Sequence, residues 1–284
     1  MRAAARRAEA LAARLPPLLL AAERVAATVA AGLHGRRRVG EGDSFWQFRP
    51  FATGDATARI DWRQSAKSHR TFVRETEWEA AQTCFLWRDA SPSMRWRSAL
   101  APVEKAARAE LLLLALAALL LRGGERVRLI DTATPFSAGT AALAGLAEAL
   151  ARAPEGAGLP QVGALPRFAT VVLISDFLSP IAEISALLGR FAARSARGVL
   201  LQILDPAERD LPYDGRVRFL GLEGEGEMVI PRVEGVRAAY QARLAAQTAA
   251  VAESARKAGF GFASHLTDRP PETALLALYM ALAA

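Results

Sequence analysis

Asp89, Ser91 and Ser93 stand at alternate positions of Asp89-Ala90-Ser91-Pro92-Ser93-Met94, one carboxylate and two hydroxyls spaced to act together. In a locally extended loop, side chains at i, i+2 and i+4 project the same way, so the three groups can face a common point. An all-oxygen set of this kind suits a hard cation, and Mg²⁺ needs few protein carboxylates because it keeps several waters. The same residues also admit a structural role, with Ser93 as the N-cap of a following helix and Asp89 as a polar strand end. Arg88 directly precedes Asp89 in an otherwise apolar run. Its guanidinium must therefore reach solvent or pair with a carboxylate, and either it or Arg95 would compete electrostatically with a cation.

Two more oxygen-bearing residues occupy comparable positions. Asp176 closes the β-branched run Ala169-Thr170-Val171-Val172-Leu173-Ile174-Ser175, which reads as a buried parallel strand, and Thr140 follows Gly139 at the start of a helical pattern. Asp89 likewise follows an apolar run, Cys84-Phe85-Leu86-Trp87, and precedes an Ala- and Leu-rich helix. Both aspartates thus fall at strand-to-helix loops, where open α/β sheets bind ligands.

The elements that must position these residues alternate along the chain. Strands are expected over Arg126 to Ile130, Val199 to Leu204 and Gly261 to Leu266. Helices are expected over Pro102 to Leu121, Ile181 to Arg194 and Gly235 to Ala258, with another ending near Arg152 and a last one from Pro271. The helix over 102–121 is apolar nearly all round, which implies burial on every side. Such alternation predicts an α/β fold with a mostly parallel sheet and helices on both faces. A β-hairpin insertion is expected near 212–232, and a helical and β-rich N-terminal arm over 1–80 precedes the α/β domain at 81–284.

A set of motifs then resembles one family. Phe48-Arg49-Pro50-Phe51, Gly54-Asp55, Arg59-Ile60-Asp61-Trp62-Arg63, Ser65-Ala66 and Phe72-Val73-Arg74-Glu75, followed by Asp89-Ala90-Ser91-Pro92-Ser93-Met94, are similar to the bacterial domain of unknown function 58 family. The resemblance runs from about residue 34 to the C-terminus. It implies a von Willebrand factor A-like (Rossmann-like) fold and a metal-ion-dependent adhesion site, whose pattern is Asp-x-Ser-x-Ser, then Thr, then Asp. Carried over residue by residue, Ser91, Ser93 and Thr140 become direct ligands of a divalent cation, Mg²⁺ or Mn²⁺. Asp89 and Asp176 become direct or water-mediated ligands. The resemblance further implies a non-enzymatic interaction module that takes an acidic side chain from a partner. That partner would be a MoxR-type AAA+ ATPase, or the client it remodels. Read from the residues alone, Asp55, Arg59, Asp61 and Trp62 serve as turn caps, salt bridges and an aromatic anchor of the arm.

Composition sets the remaining bounds. The 284 residues are 52% hydrophobic and 23% charged, enough for one sizeable core and a second small module. The single cysteine, Cys84, excludes a disulfide within the chain and, inside a strand, reads as a small buried hydrophobe, consistent with a reducing cytoplasmic setting. The net charge of +7, with Arg36-Arg37-Arg38, opens an alternative as a binder of nucleic acid or an anionic membrane. Against it, no zinc-finger or RNA-recognition signature accompanies the charge. The longest apolar run, Leu111 to Leu121, is about half of the ~20 residues a membrane span needs.

Enzymatic patterns are missing their defining partners. A haloacid dehalogenase-type phosphotransferase needs a second acid where Ser91 stands. A triad of Ser91 with His265 lacks the Gly-x-Ser-x-Gly elbow. His34, His69 and His265 show no zinc-ligand spacing, and Gly35 to Gly42 lacks the Gly-Lys-Ser/Thr of a phosphate loop.

Overall fold

A computed structural model describes residues 18–30, 45–51, 60, 62–67, 71–76, 83–132, 142–153, 156, 158–161, 163 and 165–282. They divide into two compact units, one within Leu33–Gln82 and the other comprising the helix before it and everything from Thr83 onward.

That first helix, α1, covers 18–30 and buries Ala22, Val25, Ala26 and Val29. Their i, i+3, i+4, i+7 spacing makes the apolar stripe of an amphipathic helix. In the smaller unit, β1 (Phe45–Pro50) pairs antiparallel with β2 (Phe72–Thr76), matching Phe48 to Arg74 and Arg49 to Val73. The one-turn helix α2 (Trp62–Ser65) ties on through the Ser65 hydroxyl, which accepts the Phe72 N–H at 2.9 Å. Trp62 is 69% exposed. Gly54, Asp55, Arg59 and Asp61 lie outside the described residues, as do Arg36-Arg37-Arg38.

The larger unit is the expected α/β alternation. Its elements are β3 (Thr83–Arg88), α3 (Lys105–Arg122), β4 (Arg126–Leu129), α4 (Ala142–Arg152), β5 (Thr170–Ser175), α5 (Ile181–Ala192), β6 (Arg197–Leu204) and α6 (Pro206–Asp210). The hairpin β7 (Val217–Leu220) and β8 (Glu227–Ile230) follows, then α7 (Arg237–Lys257), β9 (Phe260–Leu266) and α8 (Pro271–Leu282). Five strands form one sheet in the order β4-β3-β5-β6-β9, and every neighbouring pair is parallel.

Helices cover both faces, which is why β5 is apolar at consecutive rather than alternate positions. Phe85, Trp87, Val171, Leu173 and Leu200 pack against α5 and α7 through Ile184, Leu187, Phe191, Val251 and Ala255. The opposite face carries α3, which packs against α4 and α8 and is buried at every position from Leu112 to Leu121. Gly198 makes the β5–β6 pairing possible, since a Cβ there would lie 1.7 Å from the Val171 carbonyl oxygen.

The strand order fixes where a site can form. From β3 the chain crosses to β4 on one side, whereas from β5 it proceeds to β6 on the other. The carboxyl ends of β3 and β5 therefore flank the switch point of the sheet, where diverging connections leave a crevice.

Candidate metal centre

Three adjacent strands end in buried aspartates at this edge: Asp89 after β3, Asp176 after β5 and Asp205 after β6. Asp89 continues the pairing with β5 by donating its N–H to the Ile174 carbonyl at 2.8 Å. Its Oδ1 accepts the Ser91 N–H at 2.7 Å and its Oδ2 accepts the Ser175 hydroxyl at 2.7 Å. The chain thus turns on the aspartate side chain itself, then enters a 3-10 turn over Pro92–Arg95. This differs from the extended loop expected of alternating side chains. A turn held by the Asp89 carboxylate gathers the serines more tightly than an extended segment can.

Ser91 Oγ lies 3.0 Å from Ser93 Oγ, and Ser93 Oγ donates to Asp176 Oδ2 at 3.1 Å. The oxygens of Asp89, Ser91, Ser93 and Asp176 are therefore brought together from two loops. Ser93 caps no helix; it lies inside the 3-10 turn and its hydroxyl faces Asp176. Thr140 lies outside the described residues. The glycine-rich loop before β5 passes over this edge: Gly156 donates to the Ala90 carbonyl at 3.4 Å, and a Cβ on Gly158 would come within 3.1 Å of Ser179 Oγ and 3.6 Å of Asp89 Oδ2.

One charged partner was not anticipated from sequence. Lys105, the first residue of α3, is fully buried and donates to Asp176 Oδ2 at 2.9 Å and to Glu208 Oε1 at 2.5 Å. A cation at a helix N-terminus opposes the macrodipole, so these two carboxylates must hold it there. Glu208 is itself fixed: its Oε2 accepts the Asp205 N–H at 2.8 Å, while Asp205 Oδ1 accepts from Ala207 N at 2.8 Å. Together they form a capping box on α6, and Asp205 Oδ2 also takes the Ser98 N–H at 2.9 Å.

The electrostatics follow from this geometry. Burial would depress the Lys105 ammonium, but Asp176 and Glu208 outweigh it and raise its pKa. Glu208 is pushed up by burial, against the pull of Lys105. Burial also pushes the Asp89 carboxyl above the usual carboxylate range, opposed by its bonds from Ser91 and Ser175. Lys105 is shared between Asp176 and Glu208, so of the two acids facing the serine hydroxyls Asp176 is ion-paired, while Asp89 has no ion pair among the described residues.

Other residues raised by the sequence are engaged elsewhere. Arg88 pairs with Glu110 at 3.0 Å and donates to the Leu150 carbonyl at 3.2 Å, so its guanidinium does have a carboxylate partner, on α3. His265 contacts Arg108 Nη1 at 3.3 Å, and burial followed by the Arg108 charge pushes its pKa down to about 4. Its described partner is Arg108, whereas Ser91 Oγ meets Ser93. The Cys84 thiol is buried and pushed up to about 12, as befits a core residue.

Local signals for the missed pair were present. Asp205-Pro206-Ala207-Glu208 carries the N-cap and N3 acids of a capping box, and Lys105 is a charged residue heading an apolar helix. Their meeting across 103 positions is tertiary.

The family model described as a protein of unknown function, DUF58, matches residues 47–250. Among solved structures, the chain is similar to an aerotolerance-related membrane protein from Bacteroides fragilis NCTC 9343, solved with multiple mutations to serines. The identity is 15%, over 71% of this chain and 98% of that one, with a TM-score of 0.46. It is also similar to the conserved hypothetical protein BatB from Bacteroides thetaiotaomicron, at 14% identity over 71% of this chain and 98% of that one, with a TM-score of 0.43. No curated protein matches the chain.

Proposed function

The chain belongs to the DUF58 family, and on that premise we propose that it is a non-enzymatic protein-interaction module built on a von Willebrand A-like domain. Asp89, Ser91, Ser93, Thr140 and Asp176 would hold a divalent cation, Mg²⁺ or Mn²⁺, as a metal-ion-dependent adhesion site. The observation that carries this reading is the convergence of two buried carboxylates and two serine hydroxyls at the switch point of the sheet.

The donor set fits a hard cation: the side-chain atoms contributed by Asp89, Ser91, Ser93 and Asp176 are all oxygens, and two carboxylates can balance a double positive charge, with Lys105 sharing Asp176 from one side. When bound, the cation supplies a positive centre with exchangeable coordination positions that a partner's carboxylate can take. Asp89 then escapes the cost of a buried, uncompensated charge. Lys105 sits against Asp176 from the core side and tempers the affinity of the site, which favours reversible binding. No bond-making chemistry is required of this chain.

The partner proposed is a MoxR-type AAA+ ATPase or its client, engaged in the cytoplasm, with an acidic side chain presented to the site. The resemblance set out in the sequence analysis is what suggests it. Among the described residues, no helix is long and apolar enough to cross a membrane. Pull-downs of such an ATPase with wild type and with Ser91→Ala/Ser93→Ala, each with Mg²⁺ and with EDTA, test the reading. Retention by wild type with Mg²⁺ alone is expected; equal retention in all four conditions would show that the site is not the contact.

A further inference from the structure

The β7–β8 hairpin brings an acid of the chain's own to the mouth of the site. Glu223 Oε1 accepts the Ser93 N–H at 3.3 Å, so Ser93 meets one carboxylate through its hydroxyl, Asp176, and another through its backbone. The hairpin turn is shaped to present this residue. Gly221 N–H closes it onto the Gly226 carbonyl at 2.7 Å, and Glu225 Oε2 accepts the Glu223 N–H at 2.8 Å. Gly224 and Gly226 take positive φ values of 95° and 84°, and a Cβ on Gly221 would come within 2.6 Å of Glu225 Oε2. Side chains larger than hydrogen at these positions would redirect the tip.

The hairpin is not fastened down by burial. Leu220, Leu222, Met228 and Val229 are all exposed, and the Ser93–Glu223 bond is itself at the surface. Among the described residues the tip's side-chain bond to the site is this exposed one, and such a contact can leave readily. Its approach brings a further carboxylate to the backbone of Ser93, whose hydroxyl meets Asp176.

We infer that Glu223 is an internal acidic ligand of this site, occupying the mouth at Ser93 until a partner's carboxylate exchanges with it. The inference rests on the metal-centre reading above. Docking of the tip and binding of the cation are then linked, and each strengthens the other by the same factor.

The test uses the full chain, with Mn²⁺ titrated by calorimetry and amide hydrogen exchange followed over 219–227 with and without the ion. Glu223→Gln should weaken Mn²⁺ binding by about threefold or more and abolish ion-induced protection of the hairpin tip. Glu227→Gln, which removes an acid of the same hairpin that lies opposite Leu220 and pairs with Arg218, should do neither. Equal Mn²⁺ affinity in wild type and Glu223→Gln, with hairpin exchange indifferent to the ion, overturns the inference and leaves the metal centre standing. Absence of Mn²⁺ binding by wild type overturns both.

Discussion

Replacing Lys105 with methionine probes the balance of charges at the centre of the site. The side chain keeps its unbranched apolar stem and loses its ammonium, leaving Asp176 Oδ2 and Glu208 Oε1, which that group now bridges at 2.9 and 2.5 Å, buried without their shared cation. Removing one partner of a buried pair costs about 3–5 kcal/mol. For a unit of this size that is a fall in Tm of roughly 6–20 °C. The effect on cation binding has the opposite sign. Like charges a few ångströms apart repel by several kcal/mol at an effective dielectric of about 20, so losing the ammonium should tighten Mg²⁺ binding by about tenfold or more. Melts followed by circular dichroism, with and without saturating Mg²⁺, read both effects at once, because a tighter ligand stabilises more. Lys105→Met should melt lower without the ion and gain more from it than wild type does. The double variant Lys105→Met/Glu208→Gln should lose less than the sum of the single changes, by about 1 kcal/mol or more. An unchanged Tm, or weaker Mg²⁺ binding in Lys105→Met, would refute the reasoning.

Asp89→Asn keeps an acceptor for the Ser91 N–H and turns the group facing Ser175 into a donor, to which the Ser175 hydroxyl must rotate and accept, while removing a charge that burial disfavours, so its metal-free stability should stay within about 1 kcal/mol of wild type. The same variant should lose the Mg²⁺-induced rise in Tm, and melts at neutral pH check both. His265 is held neutral in the fold, with its pKa lowered from the ordinary 6.5 to about 4. The unfolded chain binds the proton first, so this contribution is complete above pH 6.5 and is lost as pH falls toward 4, a change of about 3 kcal/mol. Urea unfolding at pH 7 and pH 4.5 should show that loss, and His265→Gln should flatten it.

Much of the fold was legible because its signals are local. The consecutive apolar residues of β5 report a strand covered on both faces, and α3, apolar all round, reports a helix buried on every side. The aspartates at the ends of β3 and β5 follow directly from those boundaries, and they are the acids found at the switch point. The serines were legible as neighbours of Asp89, but not how they are gathered: an aspartate accepting from the N–H two residues on bends the chain where alternation suggested extension. Lys105 was hidden because a lysine at a helix end ordinarily reads as solvated surface. Only the β6–α6 elbow, more than a hundred positions away, supplies the Glu208 that makes its burial tolerable.

The central claim is that the oxygens of Asp89, Ser91, Ser93 and Asp176 hold a divalent cation, and Mn²⁺-soaked crystals test it most directly through anomalous scattering. The account predicts a single strong peak among those four residues, with Lys105 still bridging Asp176 and Glu208 beneath it. A map without a peak there at saturating Mn²⁺, the serine hydroxyls bonded only to each other and to Asp176, would contradict it.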